Sequence, residues 1–390
     1  MKSNALQPLP VMHLMRTYGA HGGEQQLSQY FGAEPRGDVS ETFVFVYSDT
    51  ECSKLFARRA PGLDQVALFP AAVATGAAWL ELAKLLPLLP LLQLRFFNLI
   101  RRRRPPVCMV HGFQGALVAW PAAMVFRKTR WAYVHRITKS TMGSNMLFRL
   151  IYRPFDFLAG NSKAVTASLA PLAQSSLLTT LENGLDWRAF EARAKAGMSS
   201  PVHKPSGPVI VSVGRLLPHK GQAMIIDAFD MIAYKFAEAE LWIVGNGVEF
   251  DKLGTRAAAS HAAKRIHLLG RREDVPAVLM LADIFVNAST WEGMSNAVLE
   301  GMAAGLPSVV VDAPGVTECH VDGVTGFVVQ QNAHELAAGI TRLLDDLGLS
   351  QRMGDAARLH VHTQYSMEAC RKRYLALFGR LTGRNVCAES

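Results

Sequence analysis

From residue 208 onward the chain alternates between two kinds of stretch, and this alternation limits its fold more than any other feature. Apolar, β-branched runs stand at "PVIVSVG" (208–214), "ELWIVGNG" (240–247), "IHLLG" (266–270), "ADIFVNAS" (282–289) and "PSVVVDA" (307–313). Stretches with helical spacing, such as "QAMIIDAFDMIAYKF" (222–236), lie between them. Strands that are apolar on both faces and separated by crossover helices belong to parallel sheets covered on both sides. The first half follows the scheme less regularly, with expected strands at "VMHLM" (11–15), "TFVFVYS" (42–48), "VCMVHG" (107–112), "WAYVHR" (131–136) and "FDFLAG" (155–160).

At 390 residues the chain exceeds one ordinary core. The small, polar "ARAKAGMSSPVHKPSGP" (192–208) reads as an interdomain linker. The expected division is a first domain over 1–195, a linker at 196–207, a second domain over 208–365, and an amphipathic C-terminal helix over 366–390 packing back toward the first.

Charge is distributed unevenly. The net charge is +9, with +11 in residues 1–200 and −2 in residues 201–390. The first half therefore suits an anionic partner: a phosphate-bearing substrate, a membrane surface or nucleic acid. Nucleic acid fits least, because the basic positions lack interleaved aromatics and no nucleic-acid fold motif appears. The five cysteines are scattered without C-x-x-C spacing, which argues against a disulfide framework or zinc site and for a reducing, cytoplasmic setting. The N-terminus has no long apolar signal core. The block Val66–Phe97, followed by Arg101–Arg104, is Leu-rich but broken by Glu81, Lys84, Pro87 and Pro90, so its charge-free runs are too short to span a bilayer. Two readings stand for it: core helices, or an interfacial segment with a basic flank lying on an anionic membrane.

Open parallel sheets bind ligands at the carboxyl ends of their strands. The first strand of the second half ends in "VGRLLPHKG", which offers Gly214, Arg215 and Lys220 before a helix. Glycine lets a backbone approach closely, and the two cations suit phosphate oxygens at a helix N-terminus. His219 in the same loop is given no role. The next strand ends in Gly245 and Gly247, but Phe250 stands where a dinucleotide fingerprint wants a third small residue, so NAD binding is disfavoured.

The segment "STWEGMSNAVLEGMAAGLPSVVVD" (289–312) places Glu292 and Glu300 eight positions apart. In one helix they would lie about 12 Å apart along the axis and roughly 80° apart around it. Ser295 is expected to cap a helix running to about Ala304, with Gly305 ending it. Glu292 then lies in the loop and Glu300 inside the helix, so the two carboxylates can accept from separate hydroxyls of one extended ligand.

Taken in order, "VGRLLPHKG", "LWIVGNG" and "LLGRREDVPAVLMLADIFVNASTWEGMSNAVLEGMAAGLPSVVVDAPGVTECHVDGVTGFVV" resemble the donor domain of the retaining glycosyltransferases of family 4 over roughly residues 208–330. Glu292 and Glu300 form the Glu-x7-Glu signature. "HGGEQQLSQYF", "YVHR", "FDFLAGNSKAV" and "LENGLD" resemble that family's first domain more loosely, and "APGVTE" departs from the usual paired glycines.

The resemblance implies an α/β GT-B architecture: two Rossmann-like domains whose parallel sheets face across a cleft. It implies a sugar transferred from a nucleotide-sugar to an acceptor hydroxyl with retention, as in lipopolysaccharide, exopolysaccharide or glycolipid synthesis. Arg215 and Lys220 would hold the donor diphosphate, Glu300 the ribose and Glu292 the sugar. Gly293, Met294, Ser295 and Asn296 would lie near sugar and phosphates, with Gly214, Gly245 and Gly247 lining the site. Gly22 and Gly23 would let the first domain approach the diphosphate. His135 resembles the histidine beside the donor sugar, and His111 is a weaker candidate. No Asp-x-Asp motif occurs, and no essential metal or other cofactor is expected. The expected partners are a nucleotide-sugar and a glycan or lipid-linked acceptor, with no nucleic acid; the expected location is cytoplasmic, peripheral on the inner face of the membrane if residues 66–104 bind it. A same-fold enzyme acting on a soluble acceptor or on the nucleotide-sugar itself is the alternative.

Overall fold

The apolar runs fold as the parallel strands their composition demands. A computed structural model describes residues 7–19, 22–33, 38–70, 78–136, 146–173, 177–197 and 203–384. The chain forms two compact units: Met1–Gly184 with Met367–Ser390, and Leu185–Ser366.

In the first unit β1 (Leu9–Met15), β2 (Val39–Phe45), β3 (Asp64–Ala67), β4 (Val107–His111), β5 (Arg130–His135), β6 (Phe157–Gly160) and β7 (Leu178–Thr180) alternate with α1 (Gly22–Gly32), α2 (Thr50–Arg59), α3 (Ala78–Arg103), α4 (Gly112–Val125), α5 (Met146–Tyr152) and α6 (Lys163–Ser168). The seven strands pair in parallel in the order β3-β2-β1-β4-β5-β6-β7. The sequence reading omits β3 and β7. β3, "DQVA", is an edge strand with no buried residue, and β7 has three residues, so neither carries an apolar run. Pro87 and Pro90 do not end α3: both are exposed, while Leu85, Leu92, Phe96 and Ile100 form a fully buried row that holds the helix to the sheet. This places part of the Leu-rich block in the core, as the first of its two readings expects.

In the second unit α7 (Trp187–Gly197) precedes β8 (Val209–Val213), α8 (Gln222–Ile232), β9 (Glu240–Val244), α9 (Phe250–Ala259), β10 (Ile266–Gly270), α10 (Val275–Leu281), β11 (Ile284–Asn287), α11 (Asn296–Ala303), β12 (Ser308–Val311), β13 (Gly326–Val329), α12 (Ala333–Asp345) and α13 (Leu347–Gln364). The parallel order is β10-β9-β8-β11-β12-β13. In both units the strand order reverses beside the first strand, between β1 and β4 and between β8 and β11. The chain then returns to the first unit through α14 (Met367–Thr382). Tyr374, Leu377 and Phe378 of α14 join the core built on β1, β2, β4 and α1.

The division falls at Gly184/Leu185, upstream of the linker expected at 196–207. The cause is α7, whose Phe190 enters the second core. A Cβ on Gly197 would lie 2.9 Å from Asp274 Cβ and Ala277 Cβ at the start of α10, so helix meets helix where a linker was expected. Residues 198–202 of that linker lie outside the described residues.

Candidate functional site

The carboxyl ends of β8, β9 and β11 bring most of the second-half candidates together. After β8 the chain runs through Gly214, the exposed Arg215 and a turn of 3-10 helix, Pro218–Lys220, into Gly221. Gly221 has φ +70, and a Cβ there would lie 2.1 Å from the Ala288 carbonyl oxygen. Glycine is thus required twice, by conformation and by contact, and it ties the Lys220 loop to the end of β11. Gly245 has φ +144, and its Cβ would lie 1.8 Å from Gly214 O; Gly247 would meet Leu216 O at 2.2 Å. These three approaches press the β8, β9 and β11 loops against one another, leaving no bulk at their tips.

The loop Ser289–Ser295 folds as the spacing of the two glutamates predicts. Glu292 precedes α11, and Glu300 lies inside it. Glu292 N donates to Pro314 O (2.9 Å), and Gly315, at φ +74, would place a Cβ 2.3 Å from Glu292 O. The single glycine of "APGVTE" is therefore used as a close-approach position against the Glu292 loop. Ser295 occupies the cap position of α11, but its hydroxyl does not cap the helix; it accepts from Asn287 Nδ2 at 3.4 Å instead. Gly301, next to Glu300, lets α11 sit directly on β11, since a Cβ would lie 2.6 Å from the Phe285 ring.

Two partnerships go beyond the sequence reading. Lys220 Nζ forms a short ion pair with Glu292 Oε1, which also accepts from Ser289 Oγ at 2.9 Å. Both side chains are less than one-fifth exposed. The cation assigned to a phosphate and the carboxylate assigned to a sugar thus hold each other. The second is His219, whose ring stacks on Trp291 with centroids 4.1 Å apart and planes at 14°, while Thr290 N donates to His219 O at 2.8 Å. This stack joins the two loops that carry Lys220 and Glu292. The H and W in "PHKG" and "TWEG" were the available signal, but they lie 72 positions apart and only the fold brings them together.

Gly22, Gly23 and His135 belong to the first unit. Gly22 begins α1, and a Cβ on Gly23 would lie 3.6 Å from Arg136 Cδ and from Met15 Cε. His135 is buried at the end of β5, where its Nδ1 is 2.9 Å from Tyr133 OH, and that hydroxyl in turn accepts from Tyr152 OH at 3.2 Å. His111 ends β4 and is also buried; burial pushes its pKa well below the ordinary histidine value. Among the described residues no three His, Cys, Asp or Glu side chains converge as metal ligands. Cys52, Cys108, Cys319 and Cys370 are buried without a disulfide.

Comparison with known proteins agrees with this geometry. Residues 198–360 match the family model described as glycosyl transferases group 1. The lipopolysaccharide core biosynthesis glycosyltransferase LpsE of Rhizobium meliloti is 25% identical over 288 residues, 74% of this chain and 79% of its own length. A GDP-mannose-dependent alpha-(1-6)-phosphatidylinositol monomannoside mannosyltransferase of Mycolicibacterium smegmatis is 29% identical over 297 residues, 70% of this chain and 76% of its own. Among solved structures, Anabaena Alr3699/HepE in complex with UDP superposes with a TM-score of 0.78 over 95% of this chain and 100% of that one, at 18% identity. The chain thus carries a glycosyl transferases group 1 domain at residues 198–360 and shares the two-unit GT-B fold of solved glycosyltransferases.

Proposed function

We propose that the chain is a retaining transferase of family 4, moving a sugar from a nucleotide-diphosphate sugar to an acceptor hydroxyl in surface polysaccharide or glycolipid synthesis. The observation that carries this reading is the Lys220–Glu292 ion pair between the loops after β8 and β11, with Arg215 in the Lys220 loop, Glu300 in the helix that follows Glu292, and glycine where these backbones come close. Support for the donor class comes from HepE, solved with UDP and UDP-glucose. Support for the pathway comes from relatives named for lipopolysaccharide core and phosphatidylinositol mannoside synthesis.

In this reading the donor diphosphate displaces Glu292 from Lys220. The ammonium and the Arg215 guanidinium then face the charge that grows on the leaving phosphate, which on the scale of one oxyanion-hole donor is worth about 10²–10³ in rate. Released from Lys220, Glu292 accepts from the donor sugar's hydroxyls, Glu300 accepts from the ribose, and residues Gly293–Asn296 follow the sugar and phosphates. Gly22, Gly23 and His135 serve the first unit's side of the reaction. Two side-chain cations neutralise the diphosphate, so no essential metal is invoked.

The acceptor is proposed to be membrane-bound and the enzyme cytoplasmic and peripheral. Residues 101–150 contain no Asp or Glu. On α3, Leu86 and Leu94 are more than half exposed, and Met146 and Leu147 of α5 likewise. α4 packs beside both helices. Among the described residues no helix is long and apolar enough to cross a membrane. Such a surface suits shallow insertion beside anionic headgroups. The test is product chemistry: NMR of the product from a matched donor and a lipid-linked acceptor should show the donor's anomeric configuration retained. An inverted product contradicts retention. Release of free sugar without an acceptor favours action on the nucleotide-sugar itself. Binding to anionic vesicles at low salt tests the membrane part, and its absence points to a soluble acceptor.

A further inference from the structure

On the α1/α14 face of the first sheet, three buried polar side chains form a line across three strands. Glu41 of β2 places Oε1 3.5 Å from Nε2 of His13 on β1, a charge contact without hydrogen-bond geometry. His13 Nδ1 lies 3.2 Å from Nε2 of His111 on β4, and the two rings are nearly parallel, 13° apart. His13 is sealed in, with the Phe31 ring edge-on at 5.0 Å. The line ends at His111 Nδ1, which is buried and makes no hydrogen bond. His111 stands at the cap position of α4, yet its ring does not cap that helix. A buried polar atom without a partner is rare enough to require a reason.

The charge at one end of the line sets the proton at the other. A carboxylate beside His13 Nε2 favours the tautomer with hydrogen on Nε2, so that His13 Nδ1 is a lone pair. The contact with His111 Nε2 then needs its hydrogen from His111. Burial and the Arg136 guanidinium keep His111 from becoming a cation. With its one proton on Nε2, His111 presents a bare lone pair at Nδ1.

The end of β4 beside β1 is where the strand order of this sheet reverses, the usual ligand position in an open parallel sheet. Arg136, at the end of the neighbouring β5, gives one guanidinium nitrogen to Asn183 Oδ1 (3.4 Å) and another to Tyr374 OH (3.3 Å), while its Nε is buried without an acceptor. The neighbouring strand ends therefore hold one unused acceptor and one unused donor. A sugar hydroxyl is both a donor and an acceptor.

We infer that His111 Nδ1 accepts a hydrogen bond from a hydroxyl of the acceptor substrate, and that Glu41 and His13 are positioning residues that hold His111 in the required tautomer. This rests on the reading of the first unit as the acceptor side. It is tested on the full chain labelled with ¹⁵N-histidine, with His111 assigned from a His111→Gln spectrum. The expected wild-type spectrum at neutral pH shows neutral His111 protonated on Nε2 alone. Methyl α-glucoside, methyl α-mannoside and methyl α-galactoside are the probes, and at least one should shift the Nδ1 resonance saturably. Glu41→Gln should mix the His111 tautomers and weaken that binding about tenfold, the worth of one hydrogen bond. A proton on Nδ1 in the wild type overturns the inference without any variant, which covers a Glu41→Gln chain that fails to fold. A bare Nδ1 that no probe shifts, or a Glu41→Gln spectrum and affinity like the wild type's, overturns it as well. Nucleotide binding at Lys220 is read separately, so failure of the donor site and failure of this inference are distinguishable.

Discussion

Replacing Gly221 with alanine tests whether the Lys220 loop is pressed onto the end of β11. The substitution adds one methyl group at φ +70, where L-residues lose about 1–2 kcal/mol. That methyl carbon would sit 2.1 Å from Ala288 O, 2.8 Å from Ala288 C and 2.9 Å from Ala288 Cβ. The contact is with backbone at the tip of a buried strand, so relief requires moving the loop or the strand end by about 1 Å; overpacking of this kind costs about 1–3 kcal/mol. Together the change should destabilise the second unit by about 2–5 kcal/mol, which lowers Tm by roughly 5–15 °C in a unit of this size. Gly323→Ala is the matched control, because its φ is +73 but no atom lies within 4 Å of the added carbon. It should cost only the backbone part, about 1–2 kcal/mol. Thermal unfolding of both variants beside the wild type is the assay. Equal losses would refute the argument, since they would leave nothing for the clash.

Other consequences follow from the same contacts. Lys220→Met leaves the largely buried Glu292 without its cation and should cost about 1–3 kcal/mol, while adding Glu292→Gln should recover part of that loss; urea titration of the singles and the double reads the coupling. Phe378→Ala, in the fully buried part of α14, should cost about 3–5 kcal/mol in the first unit, because the core of β1, β2 and β4 is incomplete without that helix. Burial holds the His320 pKa at about 4, below the unfolded value of about 6.5. The unfolded chain therefore binds the extra proton first, and the His320 contribution is a loss of stability as pH falls from about 6.5 to about 4, reaching roughly 3 kcal/mol. His320→Asn should flatten the pH dependence in that window when unfolding is followed by urea titration at stepped pH.

How far the sequence carried the account depends on whether a feature is local. Five of the six strands of the second unit were legible as apolar runs, while the four-residue β13 was not read as a strand, and the split of Glu292 into loop and Glu300 into helix followed from Ser295 and Gly305. β3 and β7 were not, because an edge strand without buried residues and a three-residue strand leave no pattern. α7 was misread as the start of a linker because its Ala, Lys and Gly residues look like connecting chain, and only Phe190 and the close approach at Gly197 show that it packs. The Lys220–Glu292 pair, the His219–Trp291 stack and the Glu41–His13–His111 line join residues 28 to 98 positions apart, so no spacing rule could find them. The glycines were legible as a type and not as a reason: Gly315 gains its meaning only from the carbonyl of Glu292 beneath it.

The central claim is that the carboxyl ends of β8 and β11 bind a nucleoside diphosphate through side-chain cations. Isothermal titration of UDP, GDP and ADP, with and without EDTA, into the wild type and Lys220→Ala measures it directly. The account predicts that one of the three binds the wild type equally well in EDTA, and that Lys220→Ala weakens it about 10- to 100-fold, the worth of one charge-assisted hydrogen bond. No binding of any of the three, or equal binding by Lys220→Ala, would contradict it.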